Sequence, residues 1–219
     1  LKSKIPEFIK KLLRQVKVRT IDKYRKRKLA RVMQGKHKEW VEELKDKGRI
    51  KVIFLAVHES VWKVDAVFKR MLADPYFEPE ILVCPYVQYG DERMLQDMEQ
   101  AFIYFDRLGY PVRRAIGEDG EWLTLDALAP DIIFFTNPHN LTRPEYYKEA
   151  YLNYLSCYVP YFYLVTTHDG DLSIYDQDFH NALWKHYLPH GTSVEDCNRT
   201  ITGNSTAIKL VGYPASEDL

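Results

Sequence analysis

The feature that most constrains the fold is an apolar run at residues 52–57 (VIFLAV) that leads directly into a polar turn at residues 58–60 (HES). A buried strand followed by a turn and a helix is typical of the first unit of a Rossmann-like α/β domain, in which ligands bind at the carboxyl ends of the strands. The turn contains no glycine, so it matches neither the G-x-G-x-x-G pattern that seats a dinucleotide nor the G-x-x-x-x-G-K-S/T pattern of a phosphate loop. The sequence therefore disfavours a nucleotide-dependent oxidoreductase or kinase.

From residue 49 onward, predicted strands alternate with predicted helices. The strands fall at residues 51–57, 80–85, 110–115, 131–136, 157–165 and 207–211, and the helices at residues 60–72, 91–109, 123–128, 144–154 and 179–187. Near-continuous apolar strands separated by helices indicate a parallel sheet that is covered on both faces. We therefore predict an α/β fold class for residues 49–214, a Rossmann-like parallel sheet with helices on both faces.

The first 48 residues differ from the rest of the chain in charge. Residues 1–51 hold 19 Lys and Arg against 6 Asp and Glu, a net charge of +13, whereas the remaining residues carry a net charge of −13. An apolar stripe at helical spacing begins this segment: Ile5, Phe8, Ile9, Leu12, Leu13 and Val16. We therefore predict a basic amphipathic helical arm at residues 1–48, made of a first helix, a basic stretch and a second helix that ends near Gly48.

Two interpretations of the basic arm stay open. In the first, residues 1–35 bind an anionic membrane surface, with the apolar stripe in the interface. In the second, the stripe packs on the domain or on a sister subunit while the lysines face water. Nucleic acid is not expected as a partner, because the aromatic-rich remainder of the chain is acidic and would repel phosphates.

Cysteine usage and hydropathy bear on the cellular compartment. The three cysteines, Cys84, Cys157 and Cys197, form no C-x-x-C pair, which is typical of reduced thiols in a cytoplasmic protein. We see no signal peptide and no apolar run of roughly 18 residues, the length of a membrane span. We expect a cytoplasmic protein, and the basic arm adds the alternative of peripheral attachment to the inner face of the cytoplasmic membrane.

Polar side chains follow three of the predicted strands, at one expected edge of the sheet. They are His58, Glu59 and Ser60 after the first strand, Asn137 and His139 after the fourth, and Thr167, His168 and Asp169 after the fifth. Because histidine accepts a proton near neutral pH, one of the three histidines is a candidate base for an acceptor hydroxyl, and the neighbouring polar groups are candidate substrate contacts. His180, on the last predicted helix, is a further candidate contact. The alternative is that these histidines only cap helices or pack in the core.

The sequence lacks the local patterns of a metal site and of a serine nucleophile. His58 and Glu59 are not followed by the second histidine of an H-E-x-x-H pattern, and no G-x-S-x-G pattern occurs. We therefore expect no metal ion and no cofactor.

Several short motifs, in order along residues 50–215, resemble bacterial surface-polysaccharide transferases. They are residues 54–63 (FLAVHESVWK), 74–79 (DPYFEP), 83–86 (VCPY), 130–138 (PDIIFFTNP), 157–161 (CYVPY), 179–184 (FHNALW) and 211–214 (VGYP). Together they resemble the N-terminal half of proteins similar to CDP-glycerol glycerophosphotransferases, the teichoic-acid-type polymerases. These are GT-B enzymes, in which two Rossmann-like domains face each other across a cleft.

The resemblance implies a division of labour between two domains. In a GT-B enzyme the C-terminal domain holds most of the nucleotide-activated donor, and the N-terminal domain contributes acceptor contacts and often the base. Residues 49–214 would then bind a glycan or polyol-phosphate acceptor, including a lipid-linked one, and residues 215–219 would begin a linker to a C-terminal donor domain. The family's Trp-His-Gly-Thr-like turn has its nearest counterparts at His168 and His190, which makes His190 a fourth candidate base.

A second hypothesis is a non-catalytic α/β module for binding or oligomerisation that docks through its arm. A native stop near Leu219 would favour this module. A continuation of roughly the length of a second domain would favour the transferase.

Overall fold

The computed structural model describes residues 7–163 and 175–218 of the chain. Its strands are β1 (Ile50–Ala56), β2 (Phe77–Val83), β3 (Val112–Arg114), β4 (Ile132–Phe135), β5 (Leu155–Tyr158), β6 (Lys185–Leu188) and β7 (Ile208–Leu210). Its helices are α1 (Glu7–Leu44), α2 (Asp65–Ala73), α3 (Asp91–Arg107), α4 (Leu125–Leu128), α5 (Lys148–Asn153), α6 (Asp178–Ala182) and α7 (Gly191–Thr200). Short 3-10 helices lie at Glu59–Val61, Pro144–Tyr146, Ser205–Ala207 and Pro214–Asp218.

The described strands form one sheet in the order β3-β2-β1-β4-β5-β6-β7, and every neighbouring pair is parallel. The chain first builds outward from β1 to β3 and then returns to β4, on the other side of β1. With right-handed crossovers, α2 and α3 lie on one face of the sheet, and α5, α6 and α7 lie on the other. The predicted α/β fold class, a Rossmann-like parallel sheet with helices on both faces, is confirmed.

The centre of the sheet is buried on both faces. Phe54, in the middle of β1, is fully buried, and its ring centroid lies 4.6 Å from that of Phe134 in β4 and 5.3 Å from that of Phe68 in α2. Trp62 packs edge-on against Phe54 at 5.7 Å. The continuous apolar run predicted as the first strand thus places both faces of β1 in the core, and its polar groups follow only at the carboxyl end.

The N-terminal segment is one helix instead of the two predicted. α1 runs without a break, because the Lys and Arg residues between the two predicted helices are themselves good helix formers. Ala30, Met33 and His37 in its second half are buried, and Lys36 donates a hydrogen bond from Nζ to the carbonyl oxygen of Leu152 (3.0 Å). The second half of α1 is therefore packed on the domain.

α1 runs antiparallel to the strands. Just after the helix, Lys47 pairs with Asp131 at the amino end of β4 (2.6 Å). Nearer its start, Lys26 pairs with Asp176 in the connection between β5 and α6 (3.2 Å). The residues before Lys26 therefore continue past the carboxyl edge of the sheet, over about 28 Å at the rise of an α-helix. Among the described residues, no helix is both long enough and apolar enough to cross a lipid bilayer.

The predicted helix at residues 179–187 is wrong beyond residue 182. α6 ends at Ala182, Leu183 has an extended backbone (φ −63°, ψ 143°), and β6 follows. Side chains of β6 alternate between partly exposed and buried positions, with His186 and Leu188 inside, which is the period of a strand. α7 has no counterpart in the sequence prediction, because its first residue is preceded by His190 instead of one of the usual N-cap residues.

Candidate functional site

The strand order reverses between β1 and β4, which makes this the switch point of the sheet. The connection after β1 goes to one face and the connection after β4 to the other, so a crevice opens between their carboxyl ends, where open α/β sheets bind ligands. Leu55 pairs with Phe135 in the register of the two strands. Because β1 and β4 are parallel neighbours, the polar groups predicted after the first and fourth strands follow them at the same edge of the sheet.

His58 is half-buried at the carboxyl end of β1. Its extended backbone (φ −144°, ψ 146°) continues the strand, and Glu59 then begins a short 3-10 helix. The His58 ring centroid lies 5.0 Å from that of Tyr86, in the loop after β2, and the imidazole makes no hydrogen bond with a described residue. Glu59 is half-buried and Ser60 is exposed, so this turn presents polar groups to the crevice.

The loop after β4 folds around Asn137. The Asn137 side chain accepts a hydrogen bond from the backbone N–H of His139 (2.8 Å), which forms an Asx-turn. The hydroxyl of Tyr147 donates to the carbonyl oxygen of Pro138 (2.7 Å). These bonds fix the turn, while the imidazole of His139 is exposed and makes no hydrogen bond within the described part of the chain.

The loop after β2 closes one side of the switch point. The backbone N–H of Val87 donates to the carbonyl oxygen of Leu141 (3.0 Å), which ties this loop to the loop after β4. Beneath the two loops lies a cavity of about 20 Å³. A space of that size accommodates no more than a water molecule. This cavity is therefore too small to hold a substrate.

Part of the predicted site lies outside the described residues. This applies to Thr167, His168 and Asp169, whose roles stay predictions. Within residues 7–163 and 175–218, no group of three or more His, Cys, Asp or Glu side chains is placed to hold a metal ion.

His180 is fully buried at the start of α6. Its Nδ1 accepts the backbone N–H of Gln177 (3.2 Å), and the Gln177 side chain accepts a backbone N–H in return, which completes a capping box. Burial holds the pKa of His180 well below its usual value, and the nearby His186, His139 and Lys26 lower it further. This position favours a structural role in holding the loop before α6.

His190 is the N-cap of α7, just after β6. Its Nδ1 accepts the backbone N–H of Ser193 (3.1 Å), and its Nε2 lies 2.9 Å from the carbonyl oxygen of Tyr163, to which it donates in the matching tautomer. Both ring nitrogens thus hold the start of α7 in place. The position favours a capping role over that of a base.

A groove that was not predicted from the sequence lies between α1 and α6, with a volume of about 710 Å³. We call it the α1 groove; it is lined by Arg19, Asp22, Lys23, Arg25 and Lys26 of α1 and by Tyr147, Tyr151, Asp176, Gln177, Asp178 and Phe179. Tyr147 connects it to the switch point, because its hydroxyl binds the carbonyl of Pro138. The basic stretch was visible in the sequence, but the opposite wall comes from residues far along the chain.

Two of the cations in the α1 groove are paired. Lys26 contacts Asp22 (3.0 Å) and Asp176 (3.2 Å). Arg25 contacts Asp22 (2.7 Å) and also pairs with Asp178. Hydrogen bonds from Arg25 and Lys26 lower the pKa of Asp22, so this carboxylate is ionised and its charge is balanced locally.

Comparison with known proteins adds a fold neighbour and no family. No protein-family model matches the chain, and no curated protein matches it. Solved structures that it resembles include one titled "Crystal structure of UDP-N-acetylglucosamine 2-epimerase", with a TM-score of 0.48 and 13% sequence identity. The match covers 76% of this chain and 49% of that chain, so this chain spans about half the length of that structure. A likeness at this level carries no functional argument, and the fold class rests on the sheet topology.

Proposed function

We propose that the chain is the acceptor-binding half of a GT-B-type glycosyl- or glycerophosphotransferase in bacterial cell-surface polysaccharide or teichoic-acid-like polymer synthesis. The observation that supports the proposal is the switch point, where His58 follows β1 and the Asx-turn of Asn137 and His139 follows the neighbouring strand β4. Two of the motifs that resemble the teichoic-acid-type polymerases, residues 54–63 and 130–138, cover the end of β1 with the turn after it and β4 with the loop as far as Pro138.

The loop after β1 argues for an acceptor instead of a nucleotide donor. Nucleotide-binding loops use glycines so that the backbone can approach the phosphates, and the turn at residues 57–60 (VHES) contains none. The α-helix that follows β1 begins only at Asp65, after a 3-10 turn, so its N-terminus is not presented to the crevice directly after the strand. A nucleotide-activated donor would then be held by a second domain across the cleft.

The proposed reaction needs a base for one acceptor hydroxyl. As the hydroxyl oxygen attacks the anomeric carbon or the phosphorus atom of the donor, its proton passes to a neutral imidazole, and the nucleotide leaves with the electron pair of the broken bond. His58 and His139 reach solvent, and neither uses a ring nitrogen in a hydrogen bond with a described residue. We assign the base to one of them, with His168 as the further candidate. Asn137 and Glu59 would position acceptor hydroxyls.

Binding to this chain tests the acceptor assignment directly. An oligomer of three glycerol phosphate units, CDP and UDP would each be titrated into the isotope-labelled 219-residue chain while the amide NMR signals are followed. We expect the oligomer to shift the signals of residues 57–60 and 136–141, and the nucleotides to leave them in place. Saturable shifts of these loops with CDP or UDP, and none with the oligomer, would make this a donor domain and contradict the proposal.

Turnover tests the base. The His58→Ala and His139→Ala substitutions would be made in the native protein. Each variant would be assayed for transfer from CDP-glycerol and from nucleotide sugars to a membrane lipid extract. Loss of a general base lowers the rate by about 10² to 10⁴, and we expect one of the two variants to show it. His190→Ala is the control, since a capping residue should change stability with little effect on the rate. Wild-type rates in both variants would remove the base assignment.

We also propose that the first half of α1 contacts an anionic membrane surface. Val18, Ile21 and Tyr24 are exposed on this part of the helix among many lysines and arginines, which is the composition of an interfacial helix. Flotation with phosphatidylglycerol vesicles should recover the protein, and phosphatidylcholine vesicles should not. Replacing Val18 and Ile21 by serine should weaken the flotation. No recovery with phosphatidylglycerol vesicles would leave the packing interpretation of the arm, and equal recovery with both lipids would contradict the need for an anionic surface.

A further inference from the structure

The face of α1 that packs on the domain changes character along the helix. Met33 and Ala30 on this face are buried in the core. Positions three or four residues apart share a helix face, so the same face continues through Lys26 to Lys23 and Arg19. All three of these cations line the α1 groove. These three cations are therefore on the side of α1 that faces the domain. Cations that only keep a protein soluble are expected on the opposite, solvent-facing side.

Arg19 and Lys23 are the cations of the groove that have no partner among the described residues. Four cations and three carboxylates line the groove, and each carboxylate already contacts Arg25 or Lys26, although Oδ1 of Asp178 is buried without a hydrogen-bond partner among the described residues. Asp176, for example, accepts hydrogen bonds from the Asn181 side chain and from the backbone and hydroxyl of Thr202, each at 2.8 Å. The unpaired charges in the groove, those of Arg19 and Lys23, are therefore positive.

A tyrosine on the opposite wall has a free donor. Tyr151 is only 5% exposed, and its ring packs at 5.3 Å from that of Tyr147 and at 5.6 Å from that of Phe179. Its hydroxyl makes no hydrogen bond with a described residue, whereas the Tyr147 hydroxyl donates to Pro138. Burial raises the pKa of Tyr151 to about 12, and the nearby Asp178 adds to this, so the hydroxyl keeps its proton.

From these observations we propose that the α1 groove binds the phosphate group of a polyhydroxyl ligand, as a phosphomonoester or phosphodiester. Arg19 and Lys23 supply charge-assisted hydrogen bonds to the phosphate oxygens, and the Tyr151 hydroxyl supplies a further donor. A volume of about 710 Å³ also has room for the polyol or sugar that carries the phosphate. The site stands on the residues of the groove itself. Its use for the phosphate of an acceptor, beside the switch point, rests on the proposed function.

Calorimetric titration with sn-glycerol 3-phosphate tests the site on the 219-residue chain. The groove variant is Arg19→Gln with Lys23→Gln. The matched control is Arg31→Gln with Lys28→Gln, which removes the same charges from exposed positions that do not line the groove. We expect the groove variant to bind at least about tenfold more weakly, which is the loss of one charge-assisted contact or more. The control should stay within about twofold, since distant surface charges are screened.

Tyr151→Phe keeps the ring packing and removes only the hydroxyl, so it should also weaken binding of glycerol phosphate while the fold is retained. If circular dichroism shows that the double groove variant is unfolded, the Tyr151→Phe variant tests the phosphate site in its place. No saturable binding by the wild-type chain would overturn the proposal. Equal weakening in the groove variant and the control would do so as well, because general electrostatic attraction would then explain the binding.

The same variants distinguish two sources of the phosphate. If flotation with phosphatidylglycerol vesicles falls in the groove variant more than in the control, the ligand is a lipid headgroup. If flotation is the same in both while glycerol phosphate binding is lost only in the groove variant, the ligand is a soluble or polymeric polyol phosphate. The NMR shifts of the switch-point loops test the proposed function separately, so either proposal can fail alone.

Discussion

Replacing His186 with glutamine should make the protein less sensitive to acid between pH 7 and pH 5. His186 is 1% exposed in β6 and is surrounded by Tyr158 of β5 (ring centroids 5.1 Å apart), His180 of α6 (5.3 Å) and the thiol of Cys197 in α7 (3.7 Å from Nδ1). No carboxylate is among these neighbours. Burial therefore lowers the pKa of His186 to about 3 from the ordinary value of 6.5.

The size of the effect follows from proton linkage. Below pH 6.5 this histidine is protonated in the unfolded chain but stays neutral in the folded chain. The free energy of unfolding therefore decreases by about 1.4 kcal/mol for each unit by which the pH is lowered. When this dependence is integrated from pH 7 to pH 5, one such histidine lowers the free energy of unfolding by about 2 kcal/mol. Above pH 7 both states are neutral at this position and the contribution vanishes. Burial also lowers the pKa values of His37 and His180, which act in the same direction; because His186 contributes to the lowered pKa of His180, its replacement relieves part of that effect as well.

Urea unfolding, followed by tryptophan fluorescence at pH 7, 6 and 5, measures the difference. The His186→Gln variant can differ from the wild type in stability at pH 7. The quantity compared is therefore the decrease in the free energy of unfolding between pH 7 and pH 5, which should be smaller in the variant. His37→Gln is a positive control, because burial also lowers the pKa of His37, to about 4, and this variant should likewise lose less stability on acidification. If wild type and His186→Gln lose the same free energy of unfolding between pH 7 and pH 5, the buried neutral histidine is not the cause of the acid sensitivity.

Three further substitutions test the packing described above, each by urea unfolding at pH 7. Gly203→Ala would place a Cβ 3.0 Å from the Cβ of Ala30 in α1, and we expect it to cost about 1 to 3 kcal/mol through overpacking. Phe54→Ala empties the centre of the aromatic core and should cost about 3 to 5 kcal/mol. His190→Ala removes the side chain that caps α7 through Ser193 and should cost about 0.5 to 2 kcal/mol. An unchanged midpoint in any of them would contradict the contact on which it rests.

The central strands and the switch point could be predicted because they depend on local composition. A short apolar run rich in β-branched and aromatic residues, such as residues 52–57, favours a strand buried on both faces, and in a parallel sheet the polar residues that follow it lie at the carboxyl edge. His58 and Asn137 do follow β1 and β4 at this edge, and their roles stay predictions. Which of the neighbouring polar groups takes part in chemistry depends on side-chain orientation, which the pattern of apolar residues does not encode.

The C-terminal part of the sheet was harder to predict because histidines replace the usual helix-capping residues. His180 takes the N3 position of one capping box, and His190 takes the N-cap position of another. Neither matches the Ser, Thr, Asp or Asn signal that marks a helix start, so α7 was missed and α6 was extended into β6. The same two residues were selected as candidate chemistry because histidine is the usual proton acceptor. Their contacts instead show two nitrogens used for backbone N–H groups.

The position of α1 connects the core to the candidate phosphate site. The helix is anchored where Ala30 lies against Gly203, and only about a turn further on Lys26 pairs with Asp176 at the edge of the groove. Arg19 and Lys23 therefore extend from an anchored helix, so folding fixes their backbone positions before a ligand binds. Gly203→Ala should then weaken glycerol phosphate binding as well as stability, although Gly203 does not line the groove. A basic arm that moved independently of the domain would show the loss of stability without the loss of binding.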